Sequence, residues 1–198
     1  MRVIAGSFKG RRLSSPSWDG LRPTSDKLRE TIFNILAPRI AGARVLDGYA
    51  GTGALGIEAL SRGAASVTFI DDDRRAQVLI EENLARCGIA EGYAIIRASV
   101  GRALETLRER RASHLLEASD TFDPFDVILF DPPYEATGDA VMTLEKVLAA
   151  AGDVIARNGV LVLEHARKRQ PPETAGRLAR TREVIAGDSA LAFYVCQR

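Results

Sequence analysis

Cysteine and histidine are scarce, with two of each in 198 residues. Cys87 and Cys196 stand far apart, and with His114 and His165 they make no metal-ligand spacing, which excludes a structural zinc and leaves no metal to expect. Both thiols are expected to be buried in a reducing cytoplasm. No apolar run approaches the roughly 20 residues that cross a bilayer. Met1-Arg2-Val3 does not open a signal peptide. A cytoplasmic protein without a membrane partner is expected. Internal repeats and low-complexity tracts are also missing. An ordinary composition, 46% hydrophobic and 27% charged, then suggests one domain with a small appendage.

Net charge is low at +1, but it is unevenly spread. Residues 1–44 hold nine Lys/Arg against three acids, so this arm carries +6 and the remainder −5. A basic arm on a mildly acidic body suits a nucleic-acid contact attached to a catalytic unit; a solvated basic surface would look the same. Arg2 to Gly6 and Arg11 to Leu13 flank Ser7-Phe8-Lys9-Gly10 and read as a short basic β-hairpin. Thr24, Ser25 or Asp26 can cap a helix whose apolar stripe is Leu28, Ile32, Ile35 and Leu36. Lys27, Arg29 and Glu30 fall on its other side, and Pro38 is expected to end it.

From Ala43 onward strands and helices alternate, which argues for a parallel, doubly wound sheet. Strands are expected at 44–47, 66–70, 93–96, 125–130, 160–164, 182–185 and 190–195. Helices are expected at 54–62, 73–87 (Val78, Leu79 and Leu84 inward), 100–111 and 139–151. Gly187-Asp188 punctuates a closing hairpin, so one late strand runs antiparallel. Residues 112–124 read as a surface loop. The expected division is 1–40 for the hairpin and helix and 41–198 for the α/β body. Ligands in such sheets bind beyond the carboxyl ends of the strands. Asp47, Asp71, Ser99 and Asp131 all fall there.

Asp131-Pro132-Pro133-Tyr134 closes the apolar strand Phe125 to Phe130. Two prolines fix φ and remove two donors, so the chain leaves the ladder and turns rigidly. The Asp131 carboxylate and Pro132 carbonyl become acceptors with no ladder duty, and Tyr134 adds a flat face. Acceptors beside an aromatic plate suit a planar heterocycle with an exocyclic NH2. The plainer alternative is a capped strand end with a core tyrosine.

Gly51-Thr52-Gly53-Ala54-Leu55-Gly56 matches the G-x-G-x-x-G dinucleotide fingerprint, with Asp71 20 residues beyond Gly51. NAD is therefore a serious candidate. Three features favour S-adenosylmethionine. Asp47, just before the loop, would repel a pyrophosphate but welcome an ammonium group. The loop Gly48-Tyr49-Ala50-Gly51-Thr52-Gly53 is longer than a phosphate-hugging turn. The Asp-Pro-Pro-Tyr lies across the same crevice, where a dehydrogenase has no need of it. Structurally, Asp47 could instead serve the helix N-terminus, and Asp71 could cap its own strand end.

The run from Val45-Leu46-Asp47 to Ser61-Arg62-Gly63-Ala64 resembles the class I methyltransferases. With Arg22-Pro23-Thr24-Ser25-Asp26-Lys27-Leu28-Arg29-Glu30-Thr31-Ile32-Phe33-Asn34 upstream and Asp131-Pro132-Pro133-Tyr134 downstream, the chain resembles the RsmD family of bacterial 16S rRNA (guanine(966)-N(2))-methyltransferases. Arg2-Val3-Ile4-Ala5-Gly6-x-x-Lys9-Gly10-Arg11 and Tyr194-Val195-x-Gln197-Arg198 fit as well, so the resemblance covers nearly the whole chain. It implies a Rossmann-like fold with a seven-stranded, mostly parallel sheet carrying one antiparallel strand. It implies S-adenosylmethionine as cofactor, held by Asp47, Gly48, Tyr49, Ala50, Gly51, Thr52, Gly53, Asp71, Asp72 and Ser99, with Arg22 and Thr24 closing over it. Asp131, Pro132, Pro133 and Tyr134 would hold the target base, and Arg2, Lys9, Arg11 and Arg12 the RNA phosphates. The implied partner is 16S rRNA within a protein-bearing small-subunit particle; a monomer is expected, since nothing in the sequence demands a dimer. A DNA adenine-N6 methyltransferase shares the Asp-Pro-Pro-Tyr logic and is the nearest rival. Two departures stand out. Gly48-Tyr49 replaces a bulkier residue and Phe, which should loosen the loop. Ser99 replaces an Asp or Asn that commonly meets the adenine amine. Arg167, Lys168 and Arg169 read as a solvated loop, and His165 as a structural histidine.

Overall fold

The computed structural model describes residues 1–16, 18, 25–114, 123–132 and 144–197. Its centre is a sheet of eight strands in the order β3-β2-β1-β4-β5-β8-β7-β6. The strands are β1 (Arg44–Gly48), β2 (Ser66–Asp71), β3 (Tyr93–Arg97), β4 (Phe125–Phe130), β5 (Ile155–Ala166), β6 (Thr174–Ala175), β7 (Leu178–Ala186) and β8 (Ser189–Cys196). β1 to β5 are mutually parallel. β8 runs antiparallel to β5 and to β7, and β6 antiparallel to β7. The expected seven strands are thus joined by an eighth. β6 is two residues long, too short to leave a period-2 pattern, and it reverses direction after Pro171-Pro172.

The helices are α1 (Asp26–Ile40), α2 (Ala54–Ser61), α3 (Arg74–Arg86), α4 (Val100–His114) and α5 (Leu144–Val154). Central parallel strands are covered on both faces, so they read as continuous apolar runs. Alternation splits those runs into two cores. Val45, Val67, Phe69, Val127, Leu129 and Val162 pack with α1, α2 and α3. Leu46, Ile70, Ile128, Phe130, Leu161 and Leu163 pack with α4 and α5.

α1 starts where the Ser25 hydroxyl accepts from the Leu28 N–H at 3.2 Å. It does not stop at Pro38 but continues to Ile40. Proline's φ suits a helix, and the lost hydrogen bond falls in the last turn, where burial of Ile40 holds the end down. Arg29 is not on the solvent side: it is fully buried, donating to the Arg2 carbonyl at 2.6 Å and to Asp26 at 2.8 Å. Burial pulls its pKa down, while Asp26 and Glu58 push it back up. On α3 the inward stripe is Ala76, Leu79, Ile80, Asn83 and Leu84. Val78 lies off that stripe and is 49% exposed, contrary to expectation. Cys87 is buried, but Cys196, near the end of β8, is only half-buried.

The N-terminal hairpin closes through a single antiparallel bridge, Arg2 to Arg12. Val3 and Leu13 join the core beneath α1. What fixes the hairpin is α2. The buried Glu58 carboxylate accepts from the Ile4 N–H at 2.7 Å, from the Ala5 N–H at 3.0 Å and from Arg62 Nε at 2.7 Å. Ser61 adds a second clamp: its Oγ donates to the Ala5 carbonyl and accepts from the Phe8 N–H, and its carbonyl accepts from Ser7. Replacing Glu58 by Ala strands two amides and the Arg62 cation together. Breaking a buried charged network of this kind costs about 3–5 kcal/mol. The melting temperature should fall on the order of 10 °C, and hydrogen exchange at Ile4 and Ala5 should lose its protection. Unchanged protection at those two amides would show that Glu58 is not the anchor.

Candidate functional site

The carboxyl ends of β1, β2 and β4 form one rim, and each carries an aspartate. Asp47 is the penultimate residue of β1 and is 1% exposed. Its carboxylate accepts from the Gly56 N–H at 2.8 Å, in the first turn of α2. Asp71 ends β2 and accepts from the Gly51 N–H at 2.8 Å and the Asp73 N–H at 3.0 Å. Asp131 follows β4 directly and is half-buried with Pro132. Burial pushes the Asp47 pKa well up; the Gly56 amide opposes this, while Asp131 and Asp71 add to it. Burial also raises Asp71, against the Gly51 and Asp73 amides. Asp47 therefore sits in a low-dielectric rim whose other carboxylates, Asp131 and Asp71, further disfavour its charge.

The loop between β1 and α2 bends back to meet this rim. Ala50 donates its N–H to the Ile70 carbonyl, and Gly53 to that of Ala50. Tyr49 adopts φ +62°, a left-handed conformation uncommon for a bulky residue and a mark of local strain. Its ring stands edge-on to Phe130 at 5.8 Å. Burial, then the nearby Asp72, push the Tyr49 hydroxyl up to about 12. Gly48 does not leave the loop loose: a Cβ there would meet the Phe130 ring at 2.5 Å, so the glycine makes room for that ring. Gly56 plays the matching part on α2, where a Cβ would meet Phe69 at 2.2 Å and hold the helix off the sheet. Asp72 is exposed beside Asp71. Ser99 is exposed beyond β3, and its carbonyl accepts from Ala103 in the first turn of α4.

Asp47, Gly48, Tyr49, Ala50, Gly51, Thr52, Gly53, Asp71, Asp72, Ser99, Asp131 and Pro132 thus all lie on the loops and strand ends of one rim. Arg22, Thr24, Pro133 and Tyr134 lie outside the described residues. All four hairpin cations, Arg2, Lys9, Arg11 and Arg12, are exposed. Arg11 is exposed but also braces the fold: its guanidinium lies 5.3 Å over Phe8 and donates to the Cys87 carbonyl at the end of α3. Lys9 sits in the turn that packs on Ser61, at the far end of α2 from the rim. Arg2 and Arg12 are exposed and directly opposite across the bridge, and Arg2 also faces Asp26 at 3.9 Å.

One site residue escaped the sequence reading. Asn83 is fully buried. Its amide donates to the Thr52 carbonyl at 2.9 Å and the Ser14 carbonyl at 3.2 Å, and accepts from the Ser14 N–H at 2.6 Å. It ties the glycine loop to the N-terminal arm. Its signal was an asparagine on the apolar stripe of an amphipathic helix, where a polar side chain must have partners. Among the described residues, no group of three or more His, Cys, Asp or Glu is placed to hold a metal ion. None of the described helices is long and apolar enough to cross a membrane.

The family model "Conserved hypothetical protein 95" matches residues 1–195. Ribosomal RNA small subunit methyltransferase D of Escherichia coli K12 is 34% identical over 98% of this chain and 89% of its own length. Its namesake in Haemophilus influenzae is 37% identical over 68% of this chain and 64% of its own. Among solved structures, Escherichia coli yhhF is 30% identical and superposes with a TM-score of 0.77, covering 100% of this chain and 98% of that one.

The raised Asp47 pKa carries a signed consequence. An acid whose folded pKa exceeds its unfolded value of about 3.9 stabilises the fold below that value, and the contribution is lost as pH rises through the folded one. Asp47→Asn keeps an acceptor for Gly56 and removes that loss. In melts from pH 4.5 to 8, the variant without ligand should gain on wild type as pH rises and melt higher at neutral pH. Curves that stay parallel across the range would contradict the assignment.

Proposed function

The chain belongs to the family of the "Conserved hypothetical protein 95" model, the RsmD family of ribosomal RNA methyltransferases, and from that premise we propose that it methylates the exocyclic N2 of a guanine in 16S rRNA, at position 966. S-adenosylmethionine is the cofactor. The observation that carries this reading is the convergence of Asp47, Asp71 and Asp131 on one rim. A cationic ligand without phosphate relieves their mutual repulsion; a pyrophosphate would meet the Asp47 carboxylate where it needs the free amides of α2. The residues fit the cofactor in that sense. Asp47 would hold its ammonium group, Asp71 its ribose hydroxyls, Gly48 to Gly53 its amino-acid part, and Asp72 and Ser99 would border its adenine. When bound, it supplies an electrophilic methyl on a sulfonium sulfur.

The N2 amine of guanine is a poor nucleophile because its lone pair is delocalised into the ring. Asp131 and the Pro132 carbonyl hold its two N–H groups and aim the lone pair along the line of attack. In accepting a methyl group this nitrogen would develop positive charge. The Asp131 carboxylate stabilises that charge, and the extra proton leaves after transfer. Tyr134 stacks on the base, which is splayed out of its helix to reach the rim. Arg2, Lys9, Arg11 and Arg12 track phosphates. The substrate is a protein-bearing small-subunit particle in the cytoplasm, and the enzyme acts as a monomer.

Labelled S-adenosylmethionine offered with unmodified small subunits, naked 16S rRNA and duplex DNA should yield N2-methylguanosine from the ribosomal substrate. Asp131→Ala should lower the rate by about 10²–10³-fold, the scale for losing one group that stabilises developing charge, with cofactor binding kept. N6-methyladenine in the DNA arm, or full activity in Asp131→Ala, would defeat this reading. Charge removal at Arg2 and Arg12 together should flatten the salt dependence of RNA binding by about two counterions.

A further inference from the structure

β5 continues past the rim. The β4–β5 register pairs Leu129 with Val162 and Phe130 with Leu163, and β5 then runs three residues further to Ala166. The next step of that register sets Glu164 beside Asp131. Adjacent strands lie about 4.8 Å apart. Side chains alternate along both strands: Leu129 and Val162 face the α1–α3 core, Phe130 and Leu163 the other. Asp131 and Glu164 therefore share the face of Leu129 and Val162. The partner of Glu164 on β8 is Leu191, which belongs to that same core. Glu164 is only 7% exposed. A buried carboxylate thus stands one strand beyond Asp131, on the side away from Asp47 and Asp71.

We propose that Glu164 is the specificity-determining residue that accepts the N1–H of the target guanine. This rests on the reading of Asp131 and Pro132 as the holders of the N2 amine. N1–H is the next donor along the same ring edge, so a base held at N2 by Asp131 presents N1–H toward the neighbouring strand. Adenine presents an acceptor at N1, and a carboxylate facing it would be repelled. The pair Asp131 and Glu164 matches the donor–donor edge of guanine and no other common base. A site built to accept a donor rejects an analogue lacking it, because the buried carboxylate loses its partner.

The test uses the full-length protein and small subunits carrying either guanine or 2-aminopurine at the target position. 2-Aminopurine keeps the N2 amine and replaces N1–H with a lone pair. Wild type should methylate the guanine substrate about 100-fold faster, within the range for leaving one buried polar group unpaired. Glu164→Gln can turn its amide to accept from guanine or donate to 2-aminopurine, so the guanine to 2-aminopurine ratio of kcat/KM should fall at least tenfold. Affinity for S-adenosylmethionine should not change. An unchanged ratio in Glu164→Gln, with rates lowered equally on both bases, would assign Glu164 to structure and overturn the inference. Equal wild-type rates on the two bases would overturn it without any variant. If wild type fails to methylate the guanine substrate at all, the reading of the Asp131 pocket fails first, and this inference with it.

Discussion

Asp47 accepts the Gly56 amide from inside the sheet rim, and the geometry around it follows from that bond. It locks the first turn of α2 to the end of β1. The loop between them must then reverse within a few residues, which is why its backbone enters left-handed conformations at Tyr49, Gly51 and Gly53. The same bond places an anion where nucleotide-binding folds place a phosphate. The G-x-G-x-x-G pattern is therefore spent on packing, as Gly56 against Phe69 shows, and not on a pyrophosphate. A carboxylate in that position is expensive while the rim is empty of positive charge, because burial first, and then Asp131 and Asp71, disfavour its charge. The expense falls when a cation arrives, so affinity for a cationic cofactor is built into the destabilisation of the free protein.

α2 also carries the N-terminal arm. Glu58 and Ser61 bind hairpin backbone, while the first turn of the same helix is held by Asp47. Asn83 closes a second route between the same parts, touching Thr52 in the loop and Ser14 in the arm. The arm and the loop are thus two ends of one hydrogen-bonded unit. Arg75, just beyond Asp73, lies 4.9 Å over the Trp18 ring, which brings a further part of the arm to the edge of β2. A change at the loop has short, fully bonded routes by which to reach the segment that carries Arg2 and Arg12.

The alternation of strands and helices was legible because each period is local. The parallel order, the rim of aspartates and the closing hairpin at Gly187 followed from it. What escaped shares one physical feature: its explanation lies in a distant part of the chain. Arg29 looked like a solvent-side cation because a helical wheel cannot show that the Arg2 carbonyl would be waiting for it. Arg11, read only as a phosphate contact, also serves the Cys87 carbonyl 76 residues away. Glu58 and Asn83 drew no attention on apolar helices, although a buried polar side chain there announces a long-range partner. The Gly48 departure seemed to weaken the loop because the ring that fills its space, Phe130, belongs to β4.

The division of charge, +6 in residues 1–44 against −5 in the rest, takes on a mechanical sense in the proposed reaction. A cofactor that is a cation and a substrate that is a polyanion need opposite fields. An acidic rim attracts the first and repels the phosphates of the second, so the RNA backbone cannot settle into the pocket. Only a splayed base, uncharged and rich in donors, can enter between Asp131 and its neighbours. The backbone must then be held elsewhere, by cations outside the rim. Salt screens exposed charges beyond about 8 Å at physiological ionic strength. α2 is eight residues and about 12 Å long, so it sets the exposed hairpin cations more than a screening length from the rim. A helix of that length lets one small fold keep both fields without either cancelling the other.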